Sequence, residues 1–153
     1  MKHVEIYTDG ACLNNPYGNG GYGAIIVDGE QQRELSGGFQ NTTNNRMEMM
    51  AVIAGLEALE GACEVMLYSD SQYIVNSINK GWVYRWKANN WMRNKKERAL
   101  NVDLWRRILS LCNTHNVTFR WLRGHSGHPE NERCDRLAAA ALKGDDLPSD
   151  LPG

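Results

Sequence analysis

The sequence predicts one α/β domain in which a mixed β-sheet is flanked by helices. Residues 3–39 contain three apolar or alternating runs separated by turn signals, which is typical of antiparallel strands joined by hairpins. From residue 45 onwards, apolar residues at helical spacing alternate with short apolar runs, which is typical of parallel strands joined by helices. The 153 residues are 42% hydrophobic and 23% charged, a composition that excludes a disordered or fibrous chain.

Three strands are predicted before the first helix. They occupy residues 3–9, 20–27 and 33–39. The first alternates apolar and polar side chains and ends at Asp9. A turn-rich loop follows over residues 10–19, and Asp28-Gly29 predicts the hairpin turn between the second and third strands.

Four helices and two further strands are predicted in the rest of the chain. The helices occupy residues 45–59, 71–78, 101–112 and 129–141, and the strands occupy 64–70 and 117–122. Asn45, with Glu48 three residues later, resembles a capping box, so the first helix is expected to begin there. This order implies a five-stranded sheet, with three antiparallel strands followed by parallel ones. Residues 143–153 are acidic and interrupted by proline, so we expect a flexible tail after a single domain of residues 1–142.

Positive charge is concentrated in one part of the chain, residues 80–98, which we call the basic segment. It contains seven basic residues and one acid, a net charge of +6, whereas the whole chain carries −1. Trp82, Trp86 and Trp91 lie among these charges. Basic and aromatic side chains together suit a nucleic-acid backbone. A helix with buried tryptophans and a solvated charged face explains the same pattern, and composition alone favours this structural explanation.

Four carboxylates lie where a ligand site is expected. Asp9 and Asp70 each end a predicted strand, and open α/β sheets bind ligands at the carboxyl ends of their strands. Glu48 and Asp135 lie beside the apolar faces of two helices, where a helix cap and a boundary carboxylate are the structural alternatives. Charges about 4 Å apart repel by about 4 kcal/mol at an effective dielectric constant near 20. If the four acids meet, they must therefore take up protons or bind cations, and oxygen ligands favour Mg²⁺ or Mn²⁺.

Neither a membrane span nor an export signal is predicted. No apolar run is long enough to cross a bilayer, and charged residues interrupt the N-terminus before a signal-peptide core could form. The four cysteines form no Cys-x-x-Cys pair, which argues against a zinc ribbon or a redox motif. We expect a cytoplasmic protein with reduced thiols, and nothing in the sequence requires more than a monomer.

Five motifs, in chain order, resemble the ribonuclease HI family, the bacterial type 1 ribonucleases H. They are YTDG at 7–10, TTNNRME at 42–48, SDSQY at 69–73, NVDLW at 101–105 and GHSGHPENERCD at 124–135. The resemblance extends to about Leu142. It implies a ribonuclease H-like fold and an endonuclease that cleaves the RNA strand of RNA–DNA hybrids. It also implies two Mg²⁺ ions, with Mn²⁺ as a substitute, and products with 5′-phosphate and 3′-hydroxyl ends.

The resemblance assigns roles by motif position. Catalytic metal ligands fall on Asp9, Glu48, Asp70 and Asp135, and a histidine that assists proton transfer or product release falls on His125. Contacts to RNA 2′-hydroxyls, the group that DNA lacks, fall on Cys12, Asn15, Asn44, Asn45 and Gln72. A pocket for a DNA phosphate includes Thr43 and Asn101. The basic segment matches the family's basic protrusion, which favours substrate binding by Trp82, Trp86, Lys87, Trp91, Lys95 and Lys96.

The chain departs from the family pattern at several positions. Asn41 stands where the family has an arginine in the phosphate pocket, and Asn14 stands where it usually has glycine, in a loop that is one residue longer. Residues 87–90 are less basic than in the family. Loss of a guanidinium and of basic charge predicts a modest affinity for the hybrid, with a shallow salt dependence.

Three alternatives remain open. The same scaffold could carry a junction-cutting or integrase-like nuclease, or it could bind hybrids without cleaving them. His125, His128 and Cys134 could also form a metal site, although three mixed ligands without a fourth argue against structural zinc.

Overall fold

The computed structural model describes residues 1–124 and 127–151. Its strands are β1 (Lys2–Cys12), β2 (Gly20–Asp28), β3 (Gln31–Phe39), β4 (Cys63–Ser69) and β5 (Asn116–Trp121). Its helices are α1 (Asn44–Glu57), α2 (Gln72–Asn79), α3 (Trp82–Ala88), α4 (Val102–Thr114) and α5 (Pro129–Ala141). None of the described helices combines the length and the apolar character needed to cross a membrane.

The five strands form one mixed sheet in the order β3-β2-β1-β4-β5. β1, β2 and β3 pair antiparallel, whereas β4 pairs parallel with both β1 and β5. The predicted five-stranded mixed sheet is therefore confirmed. β1 runs three residues past its predicted end, so that Asp9 pairs with Gly23 inside the ladder.

The main core lies between the sheet and the helices α1, α2 and α4. Ile6, Leu67, Ile53 and Trp105 are fully buried there. α5 packs against β1 and β2, where the thiol of Cys134 donates a hydrogen bond to the carbonyl of Tyr7 at 3.3 Å. The two helices that carry Glu48 and Asp135 are thus both held against β1, the strand that carries Asp9.

The start of α1 differs from the predicted capping box. The N-cap is Thr43, whose backbone is extended and whose hydroxyl accepts a hydrogen bond from the N–H of Arg46 at 3.1 Å. The prediction that Asn45 caps the helix is wrong. Thr43 is the cap, because its hydroxyl already satisfies the backbone N–H of Arg46. Glu48 consequently lies in the second turn and is buried rather than reaching back to a cap.

The C-terminal segment has a defined position in the structure, which differs from the loose tail expected from its composition. The backbone N–H groups of Asp150 and Leu151 donate to the carbonyls of Gln40 and Asn41 at 2.9 and 3.1 Å. The N–H of Gln40 donates to the carbonyl of Pro148 at 2.8 Å. Residues 147–151, which we call the C-terminal strap, therefore lie along the chain between β3 and α1.

Candidate active site

The carboxylates of Asp9, Glu48 and Asp70 lie within 4.8 Å of one another, and we call them the carboxylate cluster. Asp9 comes from β1, Asp70 follows the last residue of β4, and Glu48 comes from α1. Because β1 and β4 are parallel neighbours, their carboxyl ends meet at one edge of the sheet. The structure thus brings together three of the four acids predicted from the sequence.

One glycine allows the close approach of Glu48 to Asp9, and a second leaves room beside the carboxylate of Asp70. A Cβ atom at Gly10 would collide with the backbone of Met47 and Glu48, so only glycine lets α1 lie this near to β1. A Cβ atom at Gly124 would lie 2.9 Å from a carboxylate oxygen of Asp70. Both glycines belong to the matched motifs, and the first brings Glu48 beside Asp9.

The cluster raises the pKa values of its own acids. Burial, followed by the negative charge of Asp70, raises the pKa of Asp9 to about 7, although the N–H of Gly10 donates to its carboxylate at 2.8 Å and opposes the shift. Burial and the charges of Asp9 and Asp70 raise the pKa of Glu48 well above its ordinary value. Three acids held this close favour bound protons or bound cations.

The donor set of the cluster matches a hard divalent cation. All three ligand side chains are carboxylates, and the Oε2 atom of Glu48 is buried without a hydrogen-bond partner in the described structure. A buried carboxylate oxygen without a partner is costly, and a cation at this position would satisfy it. Within residues 1–124 and 127–151, the carboxylate cluster is the one group of three or more acidic, histidine or cysteine side chains that lie close enough together to hold a metal ion.

Asp135 lies outside this group of three, on α5, yet its negative charge contributes to the raised pKa of Asp9. His125 lies outside the described residues. The alternative metal site at His125, His128 and Cys134 is disfavoured, because burial raises the pKa of the Cys134 thiol and that thiol donates to a carbonyl. A protonated thiol is a poor zinc ligand.

The residues predicted to contact RNA lie at the end of β1, in the loop after it, and at the first turns of α1 and α2. The side-chain oxygen of Asn15 accepts a hydrogen bond from the N–H of Asn44 at 3.1 Å, which joins the loop after β1 to the start of α1. Asn45 and Gln72 are exposed at the first turns of α1 and α2. Cys12 is partly exposed, with its thiol 3.5 Å from the carbonyl of Thr42.

The residues predicted to hold a DNA phosphate, Thr43 and Asn101, both contact Arg46. Arg46 is buried, and its guanidinium donates to the side-chain oxygen of Asn101 at 3.4 Å. Thr43 caps α1 through the N–H of the same arginine. The amide nitrogen of Asn41 donates to the carbonyl of Leu151 in the C-terminal strap at 2.8 Å.

The basic segment forms the short helix α3, and its remaining residues, 89–98, form an irregular loop. Trp82 and Trp86 are partly exposed and line a groove of about 540 Å³ that Arg85 and Arg93 also line. Trp91 differs from the prediction, because its indole is 6% exposed and packs in the core. Because it is buried, its ring is not available to stack on a base.

Lys87, Lys95 and Lys96 are exposed on this segment, as predicted. The basic segment therefore has a buried tryptophan, as the structural explanation requires, and exposed basic side chains, as nucleic-acid binding would require. One tryptophan is a core residue, whereas the lysines and the other two tryptophans remain at the surface.

Comparison with known proteins assigns the chain to a family. The family model for RNase H matches residues 1–143. The chain belongs to the ribonuclease H family. It is 62% identical over 153 residues to a ribonuclease H from Syntrophus aciditrophicus, covering 100% of this chain and 87% of that protein. It is 60% identical over 151 residues to the one from Desulforamulus reducens, covering 99% of this chain and 94% of that protein.

Solved ribonuclease H structures have the same fold. LC9-RNase H1, a type 1 enzyme with the type 2 active-site motif, is 30% identical with a TM-score of 0.82, covering 93% of this chain and 72% of that one. LC11-RNase H1 in complex with an RNA/DNA hybrid is 25% identical with a TM-score of 0.65, covering 91% and 96%. As a ribonuclease H, the chain is a nuclease of the hydrolase class.

Three residues of this ribonuclease H form ion pairs that the sequence did not predict. Arg46 is buried and its guanidinium contacts the carboxylates of Asp103 and Asp150, each at 2.7 Å. Arg46 and Asp103 belong to matched motifs, but a motif does not reveal that an arginine is buried. Asp150 is 104 residues from Arg46, and no local pattern connects them.

We expect Lys95→Ala and Lys96→Ala each to reduce the slope of log affinity for an RNA–DNA hybrid against log salt by about one unit, because each lysine is predicted to contact one phosphate. The measurement is fluorescence anisotropy of a labelled RNA–DNA hybrid in EDTA across a salt series. Lys143→Ala is the matched control, since it removes the same charge from an exposed position after α5. An equal reduction in the control would show that net charge, and not the basic segment, sets the slope.

Proposed function

We propose that this protein is an endoribonuclease that hydrolyses the RNA strand of RNA–DNA hybrids and leaves 5′-phosphate and 3′-hydroxyl ends. It acts with two Mg²⁺ ions, or with Mn²⁺ in their place. The observation that carries the proposal is the carboxylate cluster at the carboxyl edge of the sheet in a ribonuclease H chain. The solved complex of LC11-RNase H1 with an RNA/DNA hybrid supports the substrate class.

The acids of the site each have a part in this proposal. Asp9, Glu48 and Asp70 would hold the divalent cations at the sheet edge, and Asp135 would add a fourth carboxylate from α5. Bound there, the cations would supply positive charge for the activation of an attacking water and for the leaving oxygen. His125 remains a candidate for proton transfer or product release on the family resemblance.

Strand choice is attributed to the polar residues around the cluster. An RNA 2′-hydroxyl both donates and accepts hydrogen bonds, and the amides of Asn44, Asn45 and Gln72 offer both kinds of group. The bond between Asn15 and Asn44 holds two of these contributors at a fixed spacing. The lysines of the basic segment are proposed to bind the DNA strand through its phosphates. Cytoplasmic location and a monomeric state remain predictions.

The test is a matched panel of end-labelled substrates: RNA–DNA hybrid, duplex RNA, single-stranded RNA, duplex DNA and a branched DNA junction. Each is incubated with the purified protein in Mg²⁺, Mn²⁺ or EDTA. We expect cleavage of the RNA strand of the hybrid alone, and none in EDTA.

The other outcomes separate the alternatives. Cleavage of the branched or duplex DNA, with the hybrid intact, would contradict the proposal in favour of a junction-cutting nuclease. Hybrid binding in EDTA without cleavage under either cation would contradict it in favour of a binding module.

A further inference from the structure

Asp150 is the one acidic residue of the C-terminal strap, and its carboxylate is buried. Its side chain is 9% exposed, although it lies three residues from the end of the chain. It accepts hydrogen bonds from the Nε and Nη2 atoms of Arg46 at 2.7 and 3.2 Å, and from the hydroxyl of Thr42 at 2.7 Å. Such a carboxylate determines where the guanidinium sits, because charge-assisted hydrogen bonds are short and directional.

The other side of the same guanidinium reaches the proposed phosphate pocket. Asp103 accepts from Nη1 and Nη2 at 2.9 and 2.7 Å, and the side-chain oxygen of Asn101 accepts from Nη1 at 3.4 Å. Because its oxygen faces Arg46, the amide of Asn101 directs its nitrogen away from the guanidinium. That nitrogen donates one hydrogen to the hydroxyl of Tyr73 at 3.4 Å, which leaves a second hydrogen for a ligand.

Thr43 is held through the same arginine. Its hydroxyl oxygen accepts from the backbone N–H of Arg46, so the hydroxyl proton is available to an acceptor outside α1. The guanidinium of Arg46 therefore links Asp150 to Asn101, whereas Thr43 contacts the backbone of Arg46, which α1 positions.

We propose that Asp150 is a positioning residue for the DNA strand of the hybrid, because by holding the guanidinium of Arg46 it aims Asn101 at a backbone phosphate. This role rests on the proposed function, since it presumes a hybrid substrate. It gives the C-terminal strap, to which the amide of Asn41 is also bonded, a part in substrate binding.

The test compares Asp150→Asn with the wild-type protein on two hybrids. One has an ordinary DNA strand, and the other has uncharged methylphosphonate linkages in the DNA strand. On the ordinary hybrid we expect KM to rise about three- to tenfold, the scale of one lost hydrogen bond, with kcat within about twofold. On the neutral-strand hybrid, where the phosphate contact is already absent, KM should not change further. A general loss of stability would not depend on the charge of the DNA strand.

Asp146→Asn is the matched control, because it makes the same charge change at an exposed position five residues after α5. It should leave KM unchanged on both hybrids. An unchanged KM for Asp150→Asn on the ordinary hybrid, or an equal rise on both hybrids, would overturn the positioning role. Absence of wild-type cleavage would instead contradict the proposed function, so the two failures are distinguishable.

A second measurement on the wild-type protein covers the case in which Asp150→Asn does not fold. Coupling between strap and pocket is reciprocal, so a phosphate bound in the pocket must stabilise the strap. In EDTA, the amides of Asp150 and Leu151 should exchange with deuterium more slowly when the ordinary hybrid is bound than when the neutral-strand hybrid is bound. Equal exchange in the two complexes would overturn the proposal.

Discussion

Asp70→Asn is expected to reduce cleavage of the RNA strand of a hybrid by about 1,000-fold or more, the scale on which loss of one electrostatic group at a reacting centre acts. The substitution keeps the shape of the side chain but removes one of three negative charges that lie within 4.8 Å of one another. The remaining two carboxylates would bind divalent cations more weakly and in a different position. Single-turnover cleavage of a labelled hybrid in Mg²⁺ measures the loss.

The matched control for this prediction is Asp145→Asn, the same change at an exposed residue after α5. It should cleave at the wild-type rate. Circular dichroism and urea unfolding establish that both variants are folded. Near-normal turnover by folded Asp70→Asn would mean that the carboxylate cluster does not carry the chemistry.

Asp9→Asn is expected to stabilise the metal-free protein at pH 8 and to have little effect near pH 4. The pKa of Asp9 is raised to about 7 in the folded protein, so folding favours the protonated acid. As the pH rises from about 4 to about 7, the unfolded chain releases this proton before the folded protein does, and stability is lost. A shift of about three pKa units corresponds to on the order of 4 kcal/mol.

Urea unfolding in EDTA, across a pH series, measures this difference between variant and wild type. The difference should grow as the pH rises to about 7, because over this range the wild-type protein acquires the buried charge of Asp9, which also raises the pKa of Glu48, and the variant does not. Adding Mg²⁺ at pH 8 should narrow it, since a cation that binds the folded wild-type cluster stabilises that state. A difference that is independent of pH, or a wild-type protein that is more stable at pH 8 without metal, would contradict the electrostatic account of the cluster.

Much of the site was predictable because its signals are local in the sequence. Asp9 and Asp70 end apolar runs, and the rule that parallel strands meet at their carboxyl ends predicts that the two acids are neighbours. Glu48 was predictable from its position beside the apolar stripe of a helix, although its depth depends on Gly10. The antiparallel and parallel halves of the sheet followed from the change of apolar period near residue 45.

The features that could not be predicted depend on contacts between distant residues. Trp91 has the same basic surroundings in the sequence as Trp82, yet its ring is buried in the core, since the chain folds back after α3. The C-terminal strap is acidic and contains proline, which predicts flexibility. Its position depends on backbone hydrogen bonds to Gln40 and Asn41 and on Arg46, 104 residues from Asp150, which no local pattern reveals.

The measurement that tests the central claim most directly is mass spectrometry of the ends formed when the wild-type protein cleaves a hybrid in ¹⁸O-labelled water with Mg²⁺. The account predicts 5′-phosphate ends that carry one ¹⁸O atom, and unlabelled 3′-hydroxyl ends, because water attacks phosphorus and the 3′ oxygen leaves. Products with 5′-hydroxyl and 2′,3′-cyclic phosphate ends would show that the 2′-hydroxyl of the RNA is the attacking group, which would contradict hydrolysis by water at the carboxylate cluster.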